Sequence, residues 1–198
     1  MHTISRILVL SAVLGLLAAP GGARAEVPPQ ATAEAHDGRH DFDFLHGTWK
    51  LRIRRLKSPL TGSKEWIDLT GTAMCRPIWG GHGNVEEDEL EGPSGRFNAF
   101  TVRLYSLTTR QWSLNWVSSR KGFFEPVSVG EFKNGRGEFY DQELYEGRSI
   151  LVRGVWSGIT RTSAHFEQSF STDGGKTWEA NWIADLIRAE QSSTAERP

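Results

Sequence analysis

Cysteine and methionine are scarce: Cys75 is the only cysteine in 198 residues, and there are two methionines. One thiol excludes an internal disulfide, a CxxC redox pair and a zinc ribbon, so the chain must be held together by its core, with Cys75 as a small buried hydrophobe. A basic excess is also missing. The 23 Lys and Arg residues face 24 Asp and Glu, which excludes the concentrated cationic footprint of a nucleic-acid binder. There is no G-x-S-x-G elbow, no Walker loop and no G-x-G-x-x-G after a strand, so serine hydrolases of the common type and nucleotide enzymes are not expected. Long apolar runs are absent except at residues 7–19.

That run reads as part of a secretory signal peptide at 1–25. Arg6 supplies the positive n-region, residues 7–19 the apolar stretch, and Ala23-Arg24-Ala25 an A-x-A cleavage site. It is shorter than the ~20 residues a spanning helix needs and runs into Pro20-Gly21-Gly22, so no membrane insertion is expected after cleavage. No twin-Arg pair precedes it and no Cys sits near the cleavage site, which argues for general secretory export to a periplasm or the medium. Removal would leave 173 residues, enough for one domain. Arg6 and Arg24 go with it and no acid does, giving a formal charge near −3.

Residues 26–40 are rich in Ala, Pro, Thr and Gln and read as a disordered arm, and 190–198 as a flexible tail. Between them, at 41–189, Gly, Pro, Asn or Asp interrupts the chain every eight to twelve residues, the rhythm of an all-β sandwich or barrel. Strands are expected at 48–56, 65–79, 84–90, 97–105, 111–119, 123–132, 137–145, 148–157, 162–172 and 177–187. In the first, Trp49, Leu51 and Ile53 alternate with Lys50, Arg52 and Arg54, the pattern of a half-buried strand. In the second, Ile67, Leu69, Gly71, Ala73 and Cys75 share a face whose small residues signal a bend or a close approach. The turns at 92–95 and 133–135 have hairpin composition. An antiparallel meander of this length escapes exposed edges most simply by closing into a barrel of about 8–10 strands, which can enclose one small ligand.

Ser171-Thr172-Asp173-Gly174-Gly175-Lys176-Thr177-Trp178 fits the Asp-box pattern S-x-D-x-G-x-T-W, in which the carboxylate caps backbone N–H groups and the Trp packs under the turn. A sialidase propeller needs four or more four-stranded blades, and one copy of the pattern does not supply them. Eight tryptophans imply a core needing aromatic volume, with one or two indoles reaching a cavity. Strand alternation puts Trp112, Leu114 and Trp116 on one face, and Trp178 with Trp182 on one face. His36 and His40, beside Asp37, Asp41 and Asp43, have H-x3-H spacing, but Gly38 gives them no scaffold, and neither a metal nor a cofactor is expected. His82 in the Gly80-Gly81-His82-Gly83 loop, and His165 with Glu167 and Ser169 on one strand face, are candidate acid-base groups. Arg103, Arg153, Asn115, Ser118, Glu125 and Glu138 are polar residues within otherwise apolar strands, and a buried polar group needs a partner.

Three motifs in order resemble a family. They are Asp41-Phe42-Asp43-Phe44-Leu45-His46-Gly47-Thr48-Trp49; Tyr105-Ser106-Leu107-Thr108-Thr109-Arg110-Gln111-Trp112 with Trp116-Val117; and Glu167-Gln168-Ser169 leading into the Asp box. Together they resemble the lipocalin-like domain of unknown function 1579 over about 41–188. Leu45 stands where that family usually has an aromatic, Ser106 replaces an Asp, and Ser118 stands where an acid often follows W-V. The resemblance implies a calycin-like barrel and no established reaction. The leading expectation is a barrel binding a small apolar or aromatic molecule, with Trp116, Arg103, Trp182, His165 and Glu167 as wall residues. The alternatives are an isomerase, hydratase or cyclase using His82 or His165 with Glu125 or Glu167, and envelope glycan or protein binding through exposed Trp residues. The residues leave the ligand's identity and the oligomeric state open.

Overall fold

The structure is a computed structural model that describes residues 37–190. The expected signal peptide, residues 26–36 of the arm and residues 191–198 of the tail lie outside the described residues. Ten strands follow one another: β1 (Gly47–Leu56), β2 (Trp66–Ile78), β3 (Gly83–Gly92), β4 (Gly95–Ser106), β5 (Gln111–Ser118), β6 (Ser128–Lys133), β7 (Arg136–Tyr145), β8 (Arg148–Ser157), β9 (Ser163–Ser171) and β10 (Glu179–Arg188). Each pairs antiparallel with its sequence neighbour, and β1 closes on β10 from Trp49↔Arg188 to Arg55↔Trp182. The result is a closed ten-strand antiparallel meander, which removes every sheet edge.

Alternation decides what the barrel holds. Trp49, Leu51 and Ile53 point inward from β1 against Leu69, Ala73 and Cys75 of β2. Gly71 marks the close approach expected of this face. A Cβ there would stand 2.2 Å from the Glu89 carbonyl oxygen of β3, so the two backbones cross where no side chain fits.

One barrel end is closed by the chain before β1. Two 3-10 turns, Gly38–His40 and Asp43–Leu45, press Phe42 and Leu45 into the opening, both 0% exposed. Phe42 meets the rings of Phe132, Trp112, Phe139 and Trp156 at centroid distances of 4.9, 5.1, 5.5 and 6.0 Å. Trp49 Nε1 donates to the Leu45 carbonyl at 2.7 Å and Trp112 Nε1 to the Gly38 carbonyl at 2.8 Å. Gly38 N donates to the Tyr105 hydroxyl at 3.1 Å. These bonds correct the expected arm boundary: residues 37–40 belong to the floor of the barrel. Arg188 adds a clamp, donating to the carbonyls of Phe44 and His46 at 2.7 Å each while its guanidinium lies 4.1 Å from the Trp49 ring centroid.

Two expectations fail locally. The strand expected from residue 123 begins at Ser128, because Gly122 takes a left-handed conformation and Pro126 has no N–H to donate to a ladder. The intervening loop exposes Phe123 and Phe124, and the β5–β6 seam consists of three residue pairs. Trp178 and Trp182 do not share a face. A register shift between Ala180 and Trp182 separates them, and Trp178 packs outside the barrel beside Arg153 and Tyr140.

Candidate binding cavity

The inward faces of the strands enclose a cavity of about 490 Å³. Its size falls in the range of about 300–1,000 Å³ common for small-molecule sites. The Phe42 cluster seals one end. The loop residues that line the cavity, such as Pro59, Pro93, Lys121 and Glu125, all lie at the opposite end, which is its mouth. Aromatic and aliphatic walls come from Phe97, Trp116, Trp156, Phe166, Phe170 and Trp182 together with the leucines of β1 to β3.

Charge is buried deep in this apolar space. Arg103 of β4, 3% exposed, donates from Nη2 to Glu86 Oε1 at 2.9 Å and from Nη1 to Asn84 Oδ1 at 3.1 Å. Its guanidinium lies 5.1 Å from the Phe42 ring centroid and 5.8 Å from that of Trp156, so it joins the cavity to the aromatic floor. Burial opposes the charge on Arg103, but Glu86, with Cys75 and Asp88 nearby, holds its pKa above the ordinary value. Cys75 is the buried hydrophobe expected, its thiol pushed up to about 12 by desolvation.

The carboxyl groups behave in the opposite way. Burial, reinforced by Glu86, pushes Asp88 well above the usual carboxylate range and favours its neutral form, against the pull of Arg103. Asp141 and Glu143, two residues apart on the inward face of β7, are also raised by burial. Glu125 repels both, and Asp141 further repels Glu143. The Ser128 hydroxyl donates to Asp141, and Lys121 bridges to Glu125.

Five buried side-chain atoms of cavity-lining residues have no hydrogen-bond partner among the described residues: Glu86 Oε2, Asp88 Oδ1, Arg103 Nε, Trp156 Nε1 and Asn181 Nδ2. A buried polar atom without a partner costs about 1–3 kcal/mol. Five in one enclosed space mark a place where something else supplies the partners.

Of the residues expected on the wall, Trp116, Arg103 and Trp182 line the cavity, and Glu125 stands at its mouth. His165 and Glu167 do not. On β9 the inward residues are Ala164, Phe166, Gln168 and Phe170, so His165 and Glu167 project from the outer surface. There His165 Nδ1 meets Asp185 Oδ1 at 2.7 Å, and Glu167 Oε1 accepts from the Ser169 hydroxyl at 3.2 Å. His82 sits in the turn between β2 and β3, at the floor end, where its carbonyl accepts from Tyr105 N at 2.9 Å. Among the described residues no histidine lines the cavity, and no group of three or more His, Cys, Asp or Glu side chains is placed to hold a metal ion.

Sequence reasoning missed Glu86, Asp88, Asp141 and Glu143. In Glu86-Glu87-Asp88-Glu89 both faces of β3 carry charge, so alternation alone cannot choose between them. The available signal was the hairpin partner: Thr101↔Glu86 and Ala99↔Asp88 put both acids beside the small inward residues of β4.

No family model matches the chain, and no curated protein matches it. Among solved structures it is similar to the S-type phycobiliprotein lyase CPES from Guillardia theta, with 10% identity over 75% of this chain and 90% of that one, at a TM-score of 0.48. It is also similar to a redesigned β-barrel, mFAP0, bound to DFHBI, with 12% identity over 73% of this chain and 99% of that one, at a TM-score of 0.42. A third likeness is to EF1p2_mFAP2b bound to DFHBI, with 10% identity over 77% and 99% of the two chains, at a TM-score of 0.43.

Proposed function

We propose that this chain is an exported, lipocalin-like binding protein that holds one small apolar or aromatic molecule inside its barrel. The observation that carries this reading is the cavity of about 490 Å³, sealed at the Phe42 end and open at the other, with five unpartnered polar atoms on residues of its apolar wall. Apolar burial supplies affinity at about 25 cal/mol per Å², and the few polar groups set orientation. The export half of the proposal rests on residues 1–25, and kinship with the calycin-like family on the three motifs at 41–49, 105–117 and 167–178.

The rival readings have less support. A His/Glu acid-base pair needs a histidine within hydrogen-bonding reach of a cavity carboxylate, and His82 and His165 both lie off the cavity. Binding through an exposed indole patch needs several tryptophans on the surface, and of the eight only Trp79, at 70%, is strongly exposed.

The test is titration with the neutral fluorophore N-phenyl-1-naphthylamine. Saturable binding at one site per chain is expected, weakened about tenfold or more by Trp116→Ala, which removes an indole from the wall. Emission that rises without saturating, or is unchanged in the variant, would refute the assignment of the cavity as the site.

A further inference from the structure

We propose that the molecule held in this cavity carries a positive charge: an organic amine or quaternary ammonium on an apolar body. This rests on the reading of the cavity as a small-molecule site and names the class of that molecule. Five carboxyl groups line the space, those of Glu86, Asp88, Glu125, Asp141 and Glu143. The cations that line it are four. Arg103 is the buried one and is already bonded to Glu86 and Asn84. Arg55, Arg120 and Lys121 are exposed at the rim. Arg120 donates to the carbonyls of Ser94 and Gly95 and stacks 4.1 Å from the Phe97 centroid, and Lys121 is bridged to Glu125. Arg103 attracts Asp88 and Lys121 attracts Glu143, but both cations are bridged to other carboxylates, and among the described residues neither Asp88, Asp141 nor Glu143 is ion-paired.

Two independent features point the same way. Oδ1 of Asp88, a residue 8% exposed, and Oε2 of Glu86, a residue 6% exposed, are buried acceptors without partners on the cavity wall. Trp116, Trp182 and Tyr145 line the same space, and aromatic rings with carboxylates are the chemistry that recognises an ammonium group. Asp88, Asp141 and Glu143 are the carboxyls whose protons are held more tightly than usual. Here a proton stands in for the missing cation, and a bound cation would displace it. An anion would meet Arg103 already neutralised by Glu86, with unpaired acids on the walls beside it.

The experiment displaces bound N-phenyl-1-naphthylamine with two competitors of matched size and opposite charge, trimethylphenylammonium and benzenesulfonate. The cation should displace the fluorophore at about tenfold lower concentration or less, the scale of one close charge pair in a partly wetted site. Asp141→Asn combined with Glu143→Gln should remove most of that preference, read as the ratio of the two competitors' displacing concentrations in the same variant. Equal competition, a preference for the sulfonate, or a cation preference untouched by the double substitution would overturn the proposal. Failure of the fluorophore to bind at all would instead sink the binding-cavity reading on which it rests.

Discussion

Phe42→Ala removes the ring on which the closed end of the barrel is built, and its consequences can be worked from the contacts. Phe42 is 0% exposed and packs against Phe44, Trp112, Phe132, Phe139 and Trp156, with the Arg103 guanidinium over its face. Truncating a fully buried Phe to Ala costs about 3–5 kcal/mol, at the upper end where neighbours cannot collapse into the gap. Here the neighbours are held from opposite sides of a closed barrel: Trp112 is fixed by its bond to Gly38, and Phe132 and Phe139 by their strands. The cost should therefore sit high in that range. For a domain of this size it corresponds to a fall in Tm of about 10 °C or more. Urea unfolding followed by tryptophan fluorescence gives the free energy. Phe123→Ala, at an exposed loop position, is the control and should change stability by less than about 0.5 kcal/mol. The variant also has a second signature, because an unplugged floor gives the cavity a second opening. N-phenyl-1-naphthylamine should then dissociate faster even after stability is corrected for. A loss below about 1 kcal/mol would mean that the Phe42 segment does not seal the barrel and that the reasoning about its floor is wrong.

Gly71→Ala should destabilise by about 1–3 kcal/mol or more, because its Cβ would stand 2.2 Å from the backbone oxygen of Glu89, and an unchanged urea midpoint would refute the close approach. Asp88→Asn tests the buried acid. The folded-state pKa lies above the unfolded value of about 3.9, so the wild type loses stability as pH rises through that value, by about 1.4 kcal/mol for each pH unit separating the two pKa values. The variant should lack that slope and gain on the wild type as pH rises above about 4; parallel pH profiles would contradict a raised Asp88 pKa. Asp173 has the opposite sign. Its carboxylate accepts from Thr177 N at 2.9 Å, Thr177 Oγ1 at 2.7 Å, Ser171 Oγ at 2.8 Å and Lys176 N at 3.0 Å, which hold it well below the usual carboxylate range. What it contributes is present at neutral pH and lost as pH falls below about 3.9. Asp173→Ala should therefore speed amide exchange at Lys176 and Thr177 at pH 7.

The ten strands are legible because their turns carry the residues that turns require and because β1 and β5 alternate between apolar and polar positions. What misled was sequence in which the two faces are alike. On β9 the polar residues His165, Glu167 and Ser169 were set as a candidate site, and they lie outside because Phe166 and Phe170 need the interior more. On β3 the acids 86–89 gave alternation nothing to choose between. On β10 a single register shift put Trp182 in the cavity and left Trp178 on the surface, and no local signal distinguishes that bulge from a regular strand. Arg103 and Trp116 are readable for a simpler reason: Arg103 is a charge set among Val102, Leu104 and Tyr105, and Trp116 follows Trp112 and Leu114 on the apolar phase of β5.

The motifs that carry the resemblance fall mainly on the closed end. Phe42, Leu45 and Trp49 plug or brace the floor, Tyr105 and Trp112 tie down Gly38, and Asp173 organises a turn. Of the quoted motif residues, Trp116 and Gln168 line the cavity, and Leu114 and Phe170 join them from within the motif spans. These motifs therefore report how the barrel is closed and are nearly silent about what it holds. The chemistry inside comes from Glu86, Asp88, Asp141, Glu143 and Trp182, none of which belongs to a motif. Stability and ligand choice are thus assigned to separate residues. Substitutions at 42, 49 and 112 should change the unfolding midpoint far more than the cation preference, and amide substitutions at 141 and 143 should do the reverse. A cation preference that instead tracked global stability across both sets would mean that floor and cavity are one energetic unit.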